Sequence, residues 1–126
     1  MTSNLDLFTI QVTDTIRAAM LKITGNKYRV VVVLDGKKVV GTVSDGDIRR
    51  AFLREVLPIA PVEKIMNINC VTTRETDPGK LKDILRREMV TVLPVVSEEN
   101  ELIDVVLAYE PFYREEQGPR GTGEES

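Results

Sequence analysis

The strongest constraint on this 126-residue chain is that its pattern of elements runs through twice. In the first pass Phe8 to Val12 is β-prone. Ile16, Ala19, Met20 and Ile23 then fall at i, i+3, i+4 and i+7, the spacing of one apolar helix face. Asp14 is placed to cap that helix, and Gly25-Asn26 to stop it. Tyr28 to Leu34 is a continuous valine-rich run, the pattern of a strand covered on both faces. Asp35-Gly36 marks a turn into a strand from Val39 to Val43. Ser44-Asp45-Gly46-Asp47 opens a second helix that carries Ile48, Ala51 and Phe52 on one face and ends before Pro58.

The second pass starts with a short strand, Asn69 to Thr72. Asp77-Pro78 follows, an N-cap with proline at the first helical position. Leu81, Ile84, Leu85 and Met89 form the apolar stripe of that helix. Val90 to Val96 is a strand whose Pro94 requires an edge or a bulge, Glu98 to Glu101 is a turn, and Leu102 to Ala108 is the last strand. Corresponding elements lie about 62 to 65 positions apart. A unit of roughly fifty residues is too small to bury a core of its own. The expected architecture is therefore α+β, with two β-α-β-β-α repeats, 8–57 and 62–113, packed sheet to sheet about a pseudo-two-fold axis. Pro58 and Pro61 bracket the connection, and 114–126, rich in glycine and glutamate, reads as a disordered tail. Ligand clefts are expected between the sheets, at strand ends and helix N-termini.

Composition narrows the chemistry. Four glutamates and one arginine from Glu115 onward account for the whole net charge of −3, which leaves a neutral body. Such a body lacks the basic face that nucleic-acid binding needs. The longest apolar runs fall far short of the roughly 20 residues that cross a bilayer, and Met1 to Asp6 has no signal-peptide pattern. A cytoplasmic protein is expected. With no histidine and a single cysteine, Cys70, the chain lacks the usual zinc ligands, the usual neutral-pH acid–base and a base for Ser44. No catalytic residue, catalytic cofactor or metal site is expected.

The motif that can carry a ligand is Gly41-x-x-Ser44-x-x-Asp47. Ser-x-x-Asp at a strand-to-helix junction is close to a capping box, and capping alone accounts for both residues, at about 1 kcal/mol. The same junction serves a ligand. A carboxylate beside a hydroxyl can hold a ribose diol, an exposed helix N-terminus attracts phosphate, and glycine permits close backbone approach.

With Val39-Val40-Gly41-Thr42-Val43-Ser44-Asp45-Gly46-Asp47 closing the first copy, the repeat resembles the cystathionine β-synthase (CBS) domain. The resemblance covers roughly residues 8 to 110. Gly41, Ser44 and Asp47 match the pattern of members that bind adenosine-containing ligands, and Ser44 to Leu53 is similar to the CBS pairs that precede sugar-phosphate nucleotidyltransferase domains. Glu63-Lys64-Ile65-Met66-Asn67 resembles the usual entry into a second copy, and Leu93-Pro94-Val95-Val96 its core strand. The resemblance implies a regulatory module that senses an adenine nucleotide (AMP before ADP or ATP). It also implies a phosphate contact from Arg29 and a wall over the adenine from Val90, Thr91 and Val92. Arg49 and Arg50 are further phosphate candidates, against the plain reading of solvated helix arginines. A homodimer formed through helix faces, on Ile48, Ala51 and Phe52 or on Phe112 and Tyr113, is the ligand-free alternative. Regulation of an attached nucleotidyltransferase is another.

The second copy departs from the motif. Setting Gly41 against Asp104 puts Leu107 at the Ser44 position, Glu110 at the Asp47 position and Val92 at the Arg29 position. Leucine and valine cannot replace those contacts, so one nucleotide per chain is expected, in the Ser44 cleft.

Overall fold

A computed structural model describes residues 4–108. A 3-10 turn at Leu5–Phe8 leads into β1 (Thr9–Gln11), which pairs in parallel with β2 (Val30–Asp35) after the crossover helix α1 (Ile16–Asn26). β3 (Lys38–Ser44) returns antiparallel to β2 and runs directly into α2 (Asp45–Leu53). The second copy supplies α3 (Pro78–Glu88) and an antiparallel pair, β4 (Val92–Val96) and β5 (Leu102–Leu107). This is the expected α+β arrangement. The expected strand over residues 69–72 is reduced to a single parallel bridge, Thr73 with Val95. Pro94 accepts there, its carbonyl taking the Thr73 N–H at 3.1 Å, but it has no N–H on that edge to carry the ladder further.

The two copies agree in detail. Thr15 and Asp77 cap α1 and α3, accepting from the Ala18 and Lys80 N–H groups. Lys27 and Met89 end those helices in the left-handed conformation, with φ of 67° and 56°. β2 and β4 shift register against their partners at matching places, Val33/Leu34 and Val95/Val96. Val30 pairs with Ser44, and Val92 with Leu107. That pairing sets Val92 against Val30 and Thr91 against Arg29, which corrects the sequence alignment of Val92 with Arg29.

Two end signals of α1 also change. Thr15, not Asp14, is the cap. The Asp14 carboxylate turns back to the Gln11 N–H at 2.9 Å and closes the turn after β1, leaving the Thr15 hydroxyl to meet Ala18 at 3.1 Å. At the other end Gly25 and Asn26 are still helical. The reversal is made by the buried Asn26 side chain, whose amide donates to the Leu7 and Val30 carbonyls, each at 3.0 Å. Its oxygen accepts from the Tyr28 and Arg29 N–H groups at 2.8 and 3.2 Å. This hub consumes Tyr28 and Arg29, so β2 starts at Val30.

Three apolar clusters hold the layers together. One lies between the first sheet and its helices, around Ile16, Val31, Val43 and Ala51. One lies under α3, around Leu81, Leu85 and Leu93. The third joins the two copies, with Phe8, Tyr28 and Val32 against Val92, Val96 and Val105. Full burial of a valine or leucine is worth roughly 1.5–3 kcal/mol, and the third cluster is what makes two undersized units one body.

Candidate functional site

Ser44 ends β3 and caps α2. The backbone must turn there, because its φ and ψ are extended (−111° and 168°) while Asp45 is already helical. The Ser44 hydroxyl accepts the Asp47 N–H at 3.1 Å, and one Asp47 oxygen, Oδ2, accepts both the Ser44 N–H at 2.9 Å and the Ser44 hydroxyl at 3.0 Å. The reciprocal capping box is complete. Oδ1 points the other way and accepts from Arg50 Nη2 at 2.8 Å. The Asp47 side chain is 18% exposed and that of Arg50 63%, so the ion pair sits at a cleft mouth rather than in the core.

The cleft has a volume of about 360 Å³ and runs from this junction to the second copy. On one side stand Ser44, Asp47, Arg50, Thr42 and Val30; on the other stand Val90, Thr91 and Val92. Its size lies at the lower end of the range for small-ligand sites, ~300–1,000 Å³. Val90 and Thr91 precede β4 rather than belonging to it. The Val90 N–H is held by the Leu85 carbonyl at 3.2 Å, and the Thr91 carbonyl by the Ala108 N–H at 2.9 Å. Five of the seven residues singled out from sequence therefore meet around one space.

Arg29 and Gly41 do not line it. Arg29 sits in the left-handed region at φ 66°, with its side chain 77% exposed and its guanidinium 3.9 Å from Asp45. Its backbone carbonyl takes the Asp45 N–H at 3.1 Å, tying the start of β2 to the start of α2. Gly41 is buried. A Cβ built there would lie 2.8 Å from the Asn67 carbonyl oxygen and 3.2 Å from Met66, so the backbone that approaches Gly41 is the chain's own connecting segment. That segment bonds to β3 in both directions, Thr42 N–H to the Asn67 oxygen at 3.1 Å and Asn67 N–H to the Thr42 oxygen at 2.8 Å.

Sequence reasoning passed over Asn67, Asn69, Cys70, Val71 and Met89, which complete the lining. They belong to an irregular stretch and a helix end, and only the pairing of Asn67 with Thr42 brings the first four in. Burial pushes the Cys70 thiol up, so it stays protonated at neutral pH and acts as lining, not as a nucleophile. Among the described residues no group of three or more His, Cys, Asp or Glu is placed to hold a metal, and no helix is long and apolar enough to cross a membrane.

At the matching position of the second copy Leu107 stands where Ser44 does. Leu107 and Leu5 pack on the cluster that contains Tyr28 and Phe8, whose rings meet edge to face at 5.7 Å. Glu110, the expected counterpart of Asp47, lies outside the described residues, as do Phe112 and Tyr113. On α2, Ile48 and Ala51 are buried in the first core, which corrects the expectation that they form a free docking face.

Residues 1–54 match the family model of the CBS domain. An inosine-5'-monophosphate dehydrogenase of Korarchaeum cryptofilum is 32% identical over 111 residues, which is 87% of this chain and 22% of that protein. The chain thus spans about a fifth of the length of this curated relative. Two solved structures share the fold. A CBS domain protein of Pyrobaculum aerophilum complexed with AMP has 22% identity and a TM-score of 0.65, with 82% of this chain and 85% of that one covered. An AcuB-type acetoin utilization protein of Vibrio cholerae has 21% identity and a TM-score of 0.72, with 79% and 76% covered.

Proposed function

We propose that this chain, whose residues 1–54 match the CBS domain and which shares the fold of CBS domain proteins, is a CBS domain pair acting as a regulatory module that binds one adenine nucleotide, AMP by preference, in the Ser44 cleft. The carrying observation is the meeting of a hydroxyl–carboxylate pair at a helix N-terminus with the Val90–Val92 segment of the other copy around a single space. A ribose diol suits the carboxylate, a phosphate suits the N-terminus of α2, and a purine suits the valine wall. The AMP complex of the Pyrobaculum protein supports the ligand class. The repeats are taken as 8–57 and 62–113, and the module turns over no substrate of its own. A cytoplasmic setting, with an effector domain such as a nucleotidyltransferase attached or associated, fits a chain that covers 22% of a longer relative.

Isothermal titration with AMP, ADP and ATP tests the reading. AMP at about 100 times its Kd stabilises the fold by about 2.7 kcal/mol. The Ser44→Ala/Asp47→Ala double variant loses that increment in addition to its cap, about 1 kcal/mol. Equal binding by the double variant, or no heat from folded wild type at millimolar ligand, sinks the proposal.

A homodimer is the second reading, favoured by Leu53, Leu57 and Ile59, which are 79%, 63% and 77% exposed on and after α2. Sedimentation at tens of micromolar decides it, a monomer being the losing outcome.

A further inference from the structure

Three arginines compete for the phosphate of such a ligand, and the structure separates them. Arg50 is the only cation among the described residues that line the cleft. Arg49 is exposed and outside the lining, and Arg29 points away toward Asp45. The Arg50 guanidinium lies beside Gly46. This glycine lies in the first turn of α2 and has no positive φ, so its conformation does not call for glycine. It lowers helix propensity by about 1 kcal/mol relative to alanine. Its missing Cβ leaves room for the guanidinium: a Cβ built there would lie 3.2 Å from Arg50 Nη1 and 3.5 Å from Nη2. The side chain folds back over Gly46 toward the helix N-terminus and rests on Asp47 at 2.8 Å.

We infer that Arg50 is the phosphate-selecting residue of the cleft, held by Asp47 at its mouth, with Gly46 as the positioning residue that leaves room for it there. The inference rests on the adenine-nucleotide reading. Its physical content is a shared carboxylate. Asp47 Oδ1 takes one bond from Arg50 and has a further lone pair for a ribose hydroxyl, while the guanidinium has N–H donors to spare for a phosphate at the same mouth. A nucleoside, having no phosphate, gains the ribose contact without the charge-assisted one. The site therefore discriminates against adenosine and in favour of AMP through a residue that never needs to touch the base.

The test is a titration of wild type, Arg50→Ala, Gly46→Ala and Arg49→Ala with AMP and with adenosine, each protein's thermal unfolding being recorded without ligand. Arg50→Ala loses about tenfold or more in AMP affinity, as expected for a charge-assisted contact. Its adenosine affinity holds or rises, so the AMP-to-adenosine ratio collapses. Gly46→Ala is at least as stable as wild type yet binds AMP more weakly, a pairing that a purely structural role for Gly46 does not produce. Arg49→Ala stays within twofold of wild type. Wild-type binding of AMP with an unchanged ratio in Arg50→Ala overturns the inference and leaves the adenine reading standing. Binding of neither ligand by wild type overturns both.

Discussion

The two inter-sheet positions of this molecule share a backbone and differ in what fills them. At the first, β3 delivers Ser44 and α2 delivers Asp47, and the facing segment is Val90 to Val92. At the second, β5 delivers Leu107, which packs on the apolar cluster that contains Tyr28 and Phe8. The difference teaches that duplication copies geometry, not chemistry. The caps, left-handed helix ends and register shifts repeat because they build strands and helices. The Ser44 hydroxyl does not repeat, Leu107 standing in its place, because nothing in the fold demands it twice. Leu107 belongs to the apolar joint between the copies, whereas Ser44 and Asp47 line a cleft.

The comparison breaks most visibly at the apolar joint beside Leu107. Tyr28→Ala takes out a ring that is 6% exposed and packed edge to face on Phe8, in the cluster that joins the copies. The expected loss is about 3 kcal/mol or more by urea denaturation, in line with other large buried aromatic truncations. No second nucleotide per chain should appear in titration. A second equivalent would mean that the site had been plugged rather than lost.

A smaller effect sharpens the contrast along the strands. Gly41→Ala forces a Cβ to within 2.8 Å of the Asn67 oxygen and should cost about 1–3 kcal/mol. At the corresponding place Asp104 is half-buried and its carboxylate accepts from the adjacent Val105 N–H at 2.8 Å. Asp104→Ala should stay within about 0.5 kcal/mol. Equal costs would deny that the connecting segment makes the two strands unequal.

The smallest effect concerns acid. The N–H groups of Asp77 and Thr76 donate to the Glu75 carboxylate, each at 3.0 Å, and hold it below the usual glutamate range. A depressed carboxyl contributes stability that is present above its unfolded pKa and lost as pH falls through the folded one. Thr13, the counterpart before α1, cannot titrate. Thermal unfolding from pH 6 down to pH 3 should show a slightly steeper acid loss in wild type than in Glu75→Gln. Parallel curves would mean that this turn contributes nothing pH-dependent.

Much of this was legible in the sequence because it rests on local rules. The doubled order of elements, the valine strands, the Asp77 cap and the Ser44–Asp47 box all follow from periodicity and capping. What escaped depends on competition or on distance. Asp14 and Thr15 are both good caps, and only the claim of the Gln11 N–H on Asp14 decides between them. Gly41 reads as room for a ligand until Asn67, 26 positions later in the sequence, is seen against it. Arg49 and Arg50 are alike as letters, and their place on the helix separates them, since only Arg50 lies one turn from Asp47 and pairs with it. The one-position error that set Val92 against Arg29 arose because β3 and β5 are offset by 63 positions while β2 and β4 are offset by 62. A constant shift cannot satisfy both.

The wall supplied by Val90 to Val92 has a consequence for the order of events in synthesis. A nascent chain that has emerged only through Leu53 already holds every group of the capping box, yet it has half a cleft and no ligand to gain. The site closes only when a segment 62 positions beyond Val30 arrives and docks, a non-local contact of the kind that forms late. A nucleotide held there, as proposed, would therefore be a certificate of completion, something a truncated or half-folded copy cannot present.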